Sequence, residues 1–125
     1  MIKYQKIFSE DDCLANPKSL YVFGDNTLGY GLGGQAIIRD CHNAIGVVTK
    51  FAPANKSDDF LSGTFSERED VARSIAAVFQ VYCRGNYDRL VLPEDGLGTG
   101  RARLKEKAPA ILAMINKVFY NDSSD

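Results

Sequence analysis

The chain has 125 residues, 45% apolar and 25% charged, with a formal net charge of −1. That length fits one domain, with a core that needs neither disulfides nor a metal. The charge balance excludes a general grip on nucleic acid through phosphate neutralisation, and no apolar run is long enough to span a membrane.

No apolar leader of the signal-peptide kind opens the chain, so a cytoplasmic location is expected. Ile2 to Phe8 forms a weak first strand, and Ser9 to Ser19 is polar and turn-like. Leu20-Tyr21-Val22-Phe23 suits a buried strand stopped by Gly24. A glycine-rich segment follows. Ala36, Ile37, Cys41, Ala44 and Ile45 then recur at helical spacing, which predicts a helix over about 34–42. Gly46 to Lys50 is a further short strand, and 51–64 is a loop.

Ser66-Glu67-Arg68-Glu69 has the capping-box pattern S-x-x-E. It opens a helix whose apolar stripe is Val71, Ile75, Val78, Phe79 and Tyr82, with Gly85 as its C-cap. Tyr87 to Leu92 is the last strand. Pro93 to Gly100 is a second glycine-rich loop. The final helix carries Ile111, Leu112, Ile115, Val118 and Phe119 on one face, with Pro109 in its first turn. Residues 121–125 form a solvated tail beyond a single domain over 1–120. Alternating strands and helices predict an α/β domain with a mixed, largely parallel central sheet.

Both glycine loops follow an apolar strand and lead towards a helix. In open α/β sheets, ligands bind beyond the carboxyl ends of the strands. Glycine lets backbone N–H groups approach an anion and permits positive φ. Two such loops facing each other make a phosphate or diphosphate cradle, with a helix N-terminus adding its dipole. Gly29, Gly31 and Gly34 satisfy G-x-G-x-x-G. However, the next strand ends in Thr49-Lys50 rather than the acidic residue of a dinucleotide fold, and neither loop closes with G-K-[ST].

The segment Asp25-Asn26-x-Leu28-Gly29-x-Gly31-x-Gly33-Gly34-Gln35-Ala36-Ile37 resembles the first loop of macro domains. Leu92-Pro93 followed by Gly96-Leu97-Gly98-Thr99-Gly100 resembles the second. The resemblance implies a three-layer α/β/α module that binds ADP-ribose or a related nucleotide. It puts Asn26 against the distal ribose beside Asp25. Gly31, Gly33 and Gly34 become a wall near the diphosphate, which Gly96, Gly98, Thr99 and Gly100 hold from the other side. Val47-Val48-Thr49-Lys50 is similar to a strand of the terminal ADP-ribose glycohydrolases and of the antitoxins that strip ADP-ribose from DNA. In that subgroup a lysine attacks the anomeric carbon. The implied catalytic set is Lys50, Asn26 and Asp95, acting on an ADP-ribosylated protein, nucleic acid or small molecule, with no cofactor and no metal. The chain departs from the family where Arg101-Ala102 replaces an aspartate, and where Gln35 replaces another.

Bland readings stand beside these. Lys50 is equally an exposed lysine at a strand end, Asp25 a turn former, and Arg101 a phosphate ligand or a solvated surface residue. Phe51 stacks on a ligand or fills the core. Asp11 and Asp12 are candidate adenine readers, and His42 is structural. Cys13, Cys41 and Cys83 are reduced thiols, with Cys41 and Cys83 on apolar helix faces. A ligand-free α/β protein-interaction domain is the alternative to the whole nucleotide reading.

Overall fold

A computed structural model of the chain describes residues 1–120, so the expected tail over 121–125 lies outside the described residues. Four strands form one sheet in the order β1-β4-β2-β3: β1 Ile2–Gln5, β2 Ser19–Asn26, β3 Ala44–Lys50 and β4 Arg89–Pro93. Every pairing between them is parallel. The sheet is thus all-parallel rather than mixed; among the described residues the antiparallel contact is an isolated bridge between Lys50 and Phe60. The α/β class therefore holds.

Alternation along the strands builds a core on each face of the sheet. Leu20 and Val22 of β2 and Leu90 and Leu92 of β4 face α2 (Phe65–Arg84) and α4 (Pro109–Phe119), meeting Val71, Ile75 and Val78 on the first and Ile111, Ile115 and Phe119 on the second. Tyr21, Phe23 and Val91 face the opposite way. They pack against Phe8, against Cys13 of α1 (Glu10–Ala15), and against Ala36 and Ile38 of a 3-10 helix, Gly34–Ile38. Each fully buried branched side chain contributes about 1.5–3 kcal/mol.

Several elements differ from expectation. β2 runs through Gly24, which has ordinary strand geometry, and its N–H is taken by the Gln35 side chain. The polar stretch after Phe8 contains α1. Ser9 caps it, its Oγ accepting from the Asp12 N–H, and three acidic residues in the first turn suit the helix dipole. The helix expected over 34–42 is the short 3-10 helix, closed by i→i+3 bonds such as Arg39 N–H to the Ala36 carbonyl. Paired glycines entering it and adjacent isoleucines inside it disfavour a longer α-helix.

The capping box of α2 is Thr64 with Glu67, not Ser66 with Glu69, because the helix begins one residue after Thr64. Gly85 is its C-cap, but the left-handed residue is Asn86. Of the expected stripe, Phe79 is exposed along one side and stacks on Phe119. Pro109 occupies the first turn of α4, preceded by the four-residue α3, Leu104–Lys107.

One topological consequence positions the site. β2 sends its chain to the 3-10 helix on one face, while its neighbour β4 sends its chain to α4 on the other. Adjacent strands leaving to opposite faces open a crevice at their carboxyl ends.

Candidate functional site

A cleft of about 320 Å³ occupies that crevice. The end of β2 lines it with Asp25 and Asn26, and the end of β3 with Lys50. The first glycine loop adds Tyr30, Gly31, Gly33 and Gly34, and the second adds Gly98, Gly100 and Arg101. The two loops far apart in sequence thus meet. Asp95, Gly96 and Thr99 do not line the cleft.

Asn26 is buried, and its amide shapes the first loop. Oδ1 accepts from the Gly29 N–H at 3.0 Å, and Nδ2 donates to the Tyr30 carbonyl at 2.8 Å. One Nδ2 hydrogen and one Oδ1 lone pair remain for a ligand. Asp25 does more than shape a turn. Its Oδ1 accepts from its neighbour's N–H at 2.7 Å and from Arg39 Nη2 at 2.5 Å. Arg39 also donates from Nε to the Gly31 carbonyl at 2.8 Å and lies over the Phe23 ring. Arg39 is therefore the brace of the first loop. Its spacing of fourteen from Asp25 carries no local sequence signal.

Lys50 is buried, so it is not an exposed strand-end lysine. Its Nζ donates to the Pro53 carbonyl at 3.3 Å, the Ala54 carbonyl at 2.5 Å and Asn55 Oδ1 at 3.0 Å. Burial lowers its pKa below that of an ordinary lysine, with the Asp59 charge opposing and the Arg101 charge reinforcing the shift.

Two glycines show why the loops are glycine-rich. A Cβ on Gly33 would lie 2.7 Å from Arg101 Nη1, so the arginine of the second loop rests against the bare backbone of the first. Gly98 has φ +79°, and a side chain there would collide with the fully buried Leu104.

The second loop corrects two roles. The Thr99 hydroxyl donates back to the Asp95 carbonyl at 2.6 Å. Asp95 is exposed and outside the cleft lining; burial raises the Tyr120 pKa, with the Tyr4 and then the Asp95 charge adding smaller contributions. The helix-dipole contribution is also missing, since five- and four-residue helices follow the loops.

Gln35 joins the loops: its Oε1 accepts from the Gly24 N–H at 2.9 Å, and its Nε2 donates to the Gly96 carbonyl at 3.2 Å. Phe51 is exposed at the surface rather than part of the core, and Cys83 is exposed rather than packed. Cys41 is half-buried against the second core cluster, and His42 is exposed. Asp11 and Asp12 sit on α1, outside the cleft lining.

The charged groups lining the cleft are Asp25, Arg39, Lys50 and Arg101: one carboxylate against three cations. In a chain of net charge −1, this sign suits an anionic ligand.

A family model described as "Family of unknown function (DUF7831)" matches residues 3–118. No curated protein and no solved structure matches the chain.

Proposed function

We propose that the chain, which belongs to the DUF7831 family, binds ADP-ribose or a related nucleotide diphosphate in the crevice between its two glycine-rich loops. The observation that carries this reading is the meeting of both loops at the switch point, around a cleft with an excess of two positive charges. Backbone N–H groups of Gly98 and Gly100 are assigned to the diphosphate, with Arg101 beside them. The free hydrogen of Asn26 is assigned to a ribose hydroxyl. The reading extends to a macro-like three-layer architecture, supported by helices packed against both faces of the sheet.

Lys50 favours a second reading on the same site, hydrolytic removal of ADP-ribose from a macromolecule or small molecule. Its support is a buried cleft lysine with a lowered pKa, the setting in which an amine becomes a nucleophile. Against it, three acceptors already engage the amine, and attack requires their release.

Thermal unfolding with ADP-ribose, NAD, AMP and ATP tests the binding reading. ADP-ribose at one hundred times Kd should add about 2.7 kcal/mol of stability. No shift with any of the four leaves the ligand-free interaction domain as the better account. Release of ADP-ribose from modified protein or DNA, lost in Lys50→Ala, is the outcome expected of the hydrolase. Binding without turnover overturns that second reading.

A further inference from the structure

We infer that Gln35 is the positioning residue that holds the two glycine-rich loops at a fixed gap, its side-chain amide replacing a missing rung between β2 and β4. The inference rests on the nucleotide reading only for the identity of the ligand.

β2 and β4 pair over Ser19–Tyr21 and Arg89–Val91, then separate. Beyond that point β4 continues with β1, through Tyr4↔Leu92 and Gln5↔Pro93. This separation opens the crevice, and it also strips β2 of its strand partner on that side. An N–H left unpaired even in this half-buried position is costly, so a replacement for the ladder is favoured. Gln35 does so. Its Oε1 takes the Gly24 N–H, and its Nε2 reaches the Gly96 carbonyl.

The orientation of the amide follows from its partners, because an N–H can only donate and a carbonyl can only accept. Gln35 thus presents one acceptor and one donor, as a peptide unit would, across the gap. From its place directly after the first loop, its hydrogen bonds tie β2 to the second loop. Gln35 packs closely on Gly24: a Cβ there would touch Oε1 at 3.4 Å, an ordinary contact, and press slightly on Thr49 Oγ1 at 3.3 Å. The wall carrying Gly33 and the wall carrying Gly98 are therefore spaced before a ligand arrives, which lowers the ordering cost of binding.

Gln35→Glu is the informative variant. It keeps the length and the acceptor. When ionised, it cannot donate to the Gly96 carbonyl and repels it; when protonated, it can donate again. The charged groups that line the cleft with it are Asp25 on β2, Arg39 after the 3-10 helix, Lys50 on β3 and Arg101 on the second loop. Calorimetry with ADP-ribose on wild type, Gln35→Glu and Gln35→Leu compares pH ~8, where an ordinary glutamate is ionised, with pH ~4.5, where roughly 40% of it is protonated.

At pH ~8 Gln35→Glu, which loses the bond to Gly96, should bind roughly tenfold more weakly than wild type, and Gln35→Leu, which loses both bonds, at least as weakly. At pH ~4.5 Gln35→Glu should recover part of that loss while Gln35→Leu recovers none. A defect independent of pH in both, or wild-type affinity in both, overturns the inference. Amide exchange at Gly24 in the ligand-free proteins is the second readout, compared at pH ~8 and pH ~4.5 against wild type. Faster exchange in ionised Gln35→Glu that acid reverses supports the inference, and unchanged protection overturns it. If wild type does not bind ADP-ribose, the nucleotide reading fails, and the Gly24 exchange alone decides the role of Gln35.

Discussion

Gly33 and Gly98 are indistinguishable in a sequence, yet the cleft requires them for different reasons. Gly98 is strained for any side chain and faces the rigid Leu104. Gly98→Ala should cost about 1–3 kcal/mol in urea unfolding. Gly33 has φ −82°, and its close neighbour is the mobile end of Arg101. Gly33→Ala should stay within about 0.5 kcal/mol of wild type, while weakening ADP-ribose binding by displacing the arginine.

Lys50 gives a prediction in pH. Its folded pKa is lowered by burial, so between that value and the unfolded value of about 10.4 the unfolded chain binds more protons. Stability therefore rises with pH through this window. The stability difference between wild type and Lys50→Met should climb in wild type's favour as pH increases there. A flat difference would show that Lys50 is solvated. The sequence located Lys50 at a strand end. Its burial depends on the loop at Pro53–Asn55 folding back over the amine, which no local pattern encodes.

At the scale of elements, the start of α2 is the clearest case. Thr64 Oγ1 accepts from the Glu67 N–H at 3.2 Å. Glu67 Oε1 accepts from the N–H groups of Ser62, Gly63 and Thr64. Partial burial raises the Glu67 pKa, but these donors outweigh it and hold the carboxyl below its usual value. Thr64→Ala should cost about 1 kcal/mol, and Ser66→Ala less than about 0.5 kcal/mol, by denaturant midpoint. The overlapping patterns T-x-x-E and S-x-x-E cannot be ranked from residue types. The backbone decides, because the cap must be extended and Thr64 is, at φ −63° and ψ 161°. The stretch Ser9 to Ser19 reads as a turn because it is polar, yet Ser9 caps α1 ahead of three acidic residues. The 3-10 helix is likewise illegible locally, since Ala36, Ile37 and Cys41 mimic α-helical spacing over too short a run.

The whole molecule closes by joining the chain's distant parts. Tyr4 on β1 donates to the Phe119 carbonyl at 2.6 Å, and Tyr120 donates to the Pro93 carbonyl at 2.6 Å. Their rings stack with centroids 5.3 Å apart. Tyr4→Ala should cost about 1–2 kcal/mol by removing one bond and one stack. It should leave ADP-ribose affinity unchanged, because β1 lies at the sheet edge beyond β4.

By itself the sequence determined the α/β class, the two apolar strands that end in glycine loops, and the long helix that bridges them. These follow from local periodicity and from the backbone freedom of glycine, properties of residues near one another in the chain. Only the tertiary structure decided that β2 and β4 are neighbours whose chains leave to opposite faces. From that follow the crevice, the Asp25–Arg39 brace, the buried Lys50 and the Gln35 rung. Each depends on groups brought together across the sheet, where hydrogen bonding and burial, not sequence spacing, choose the partner.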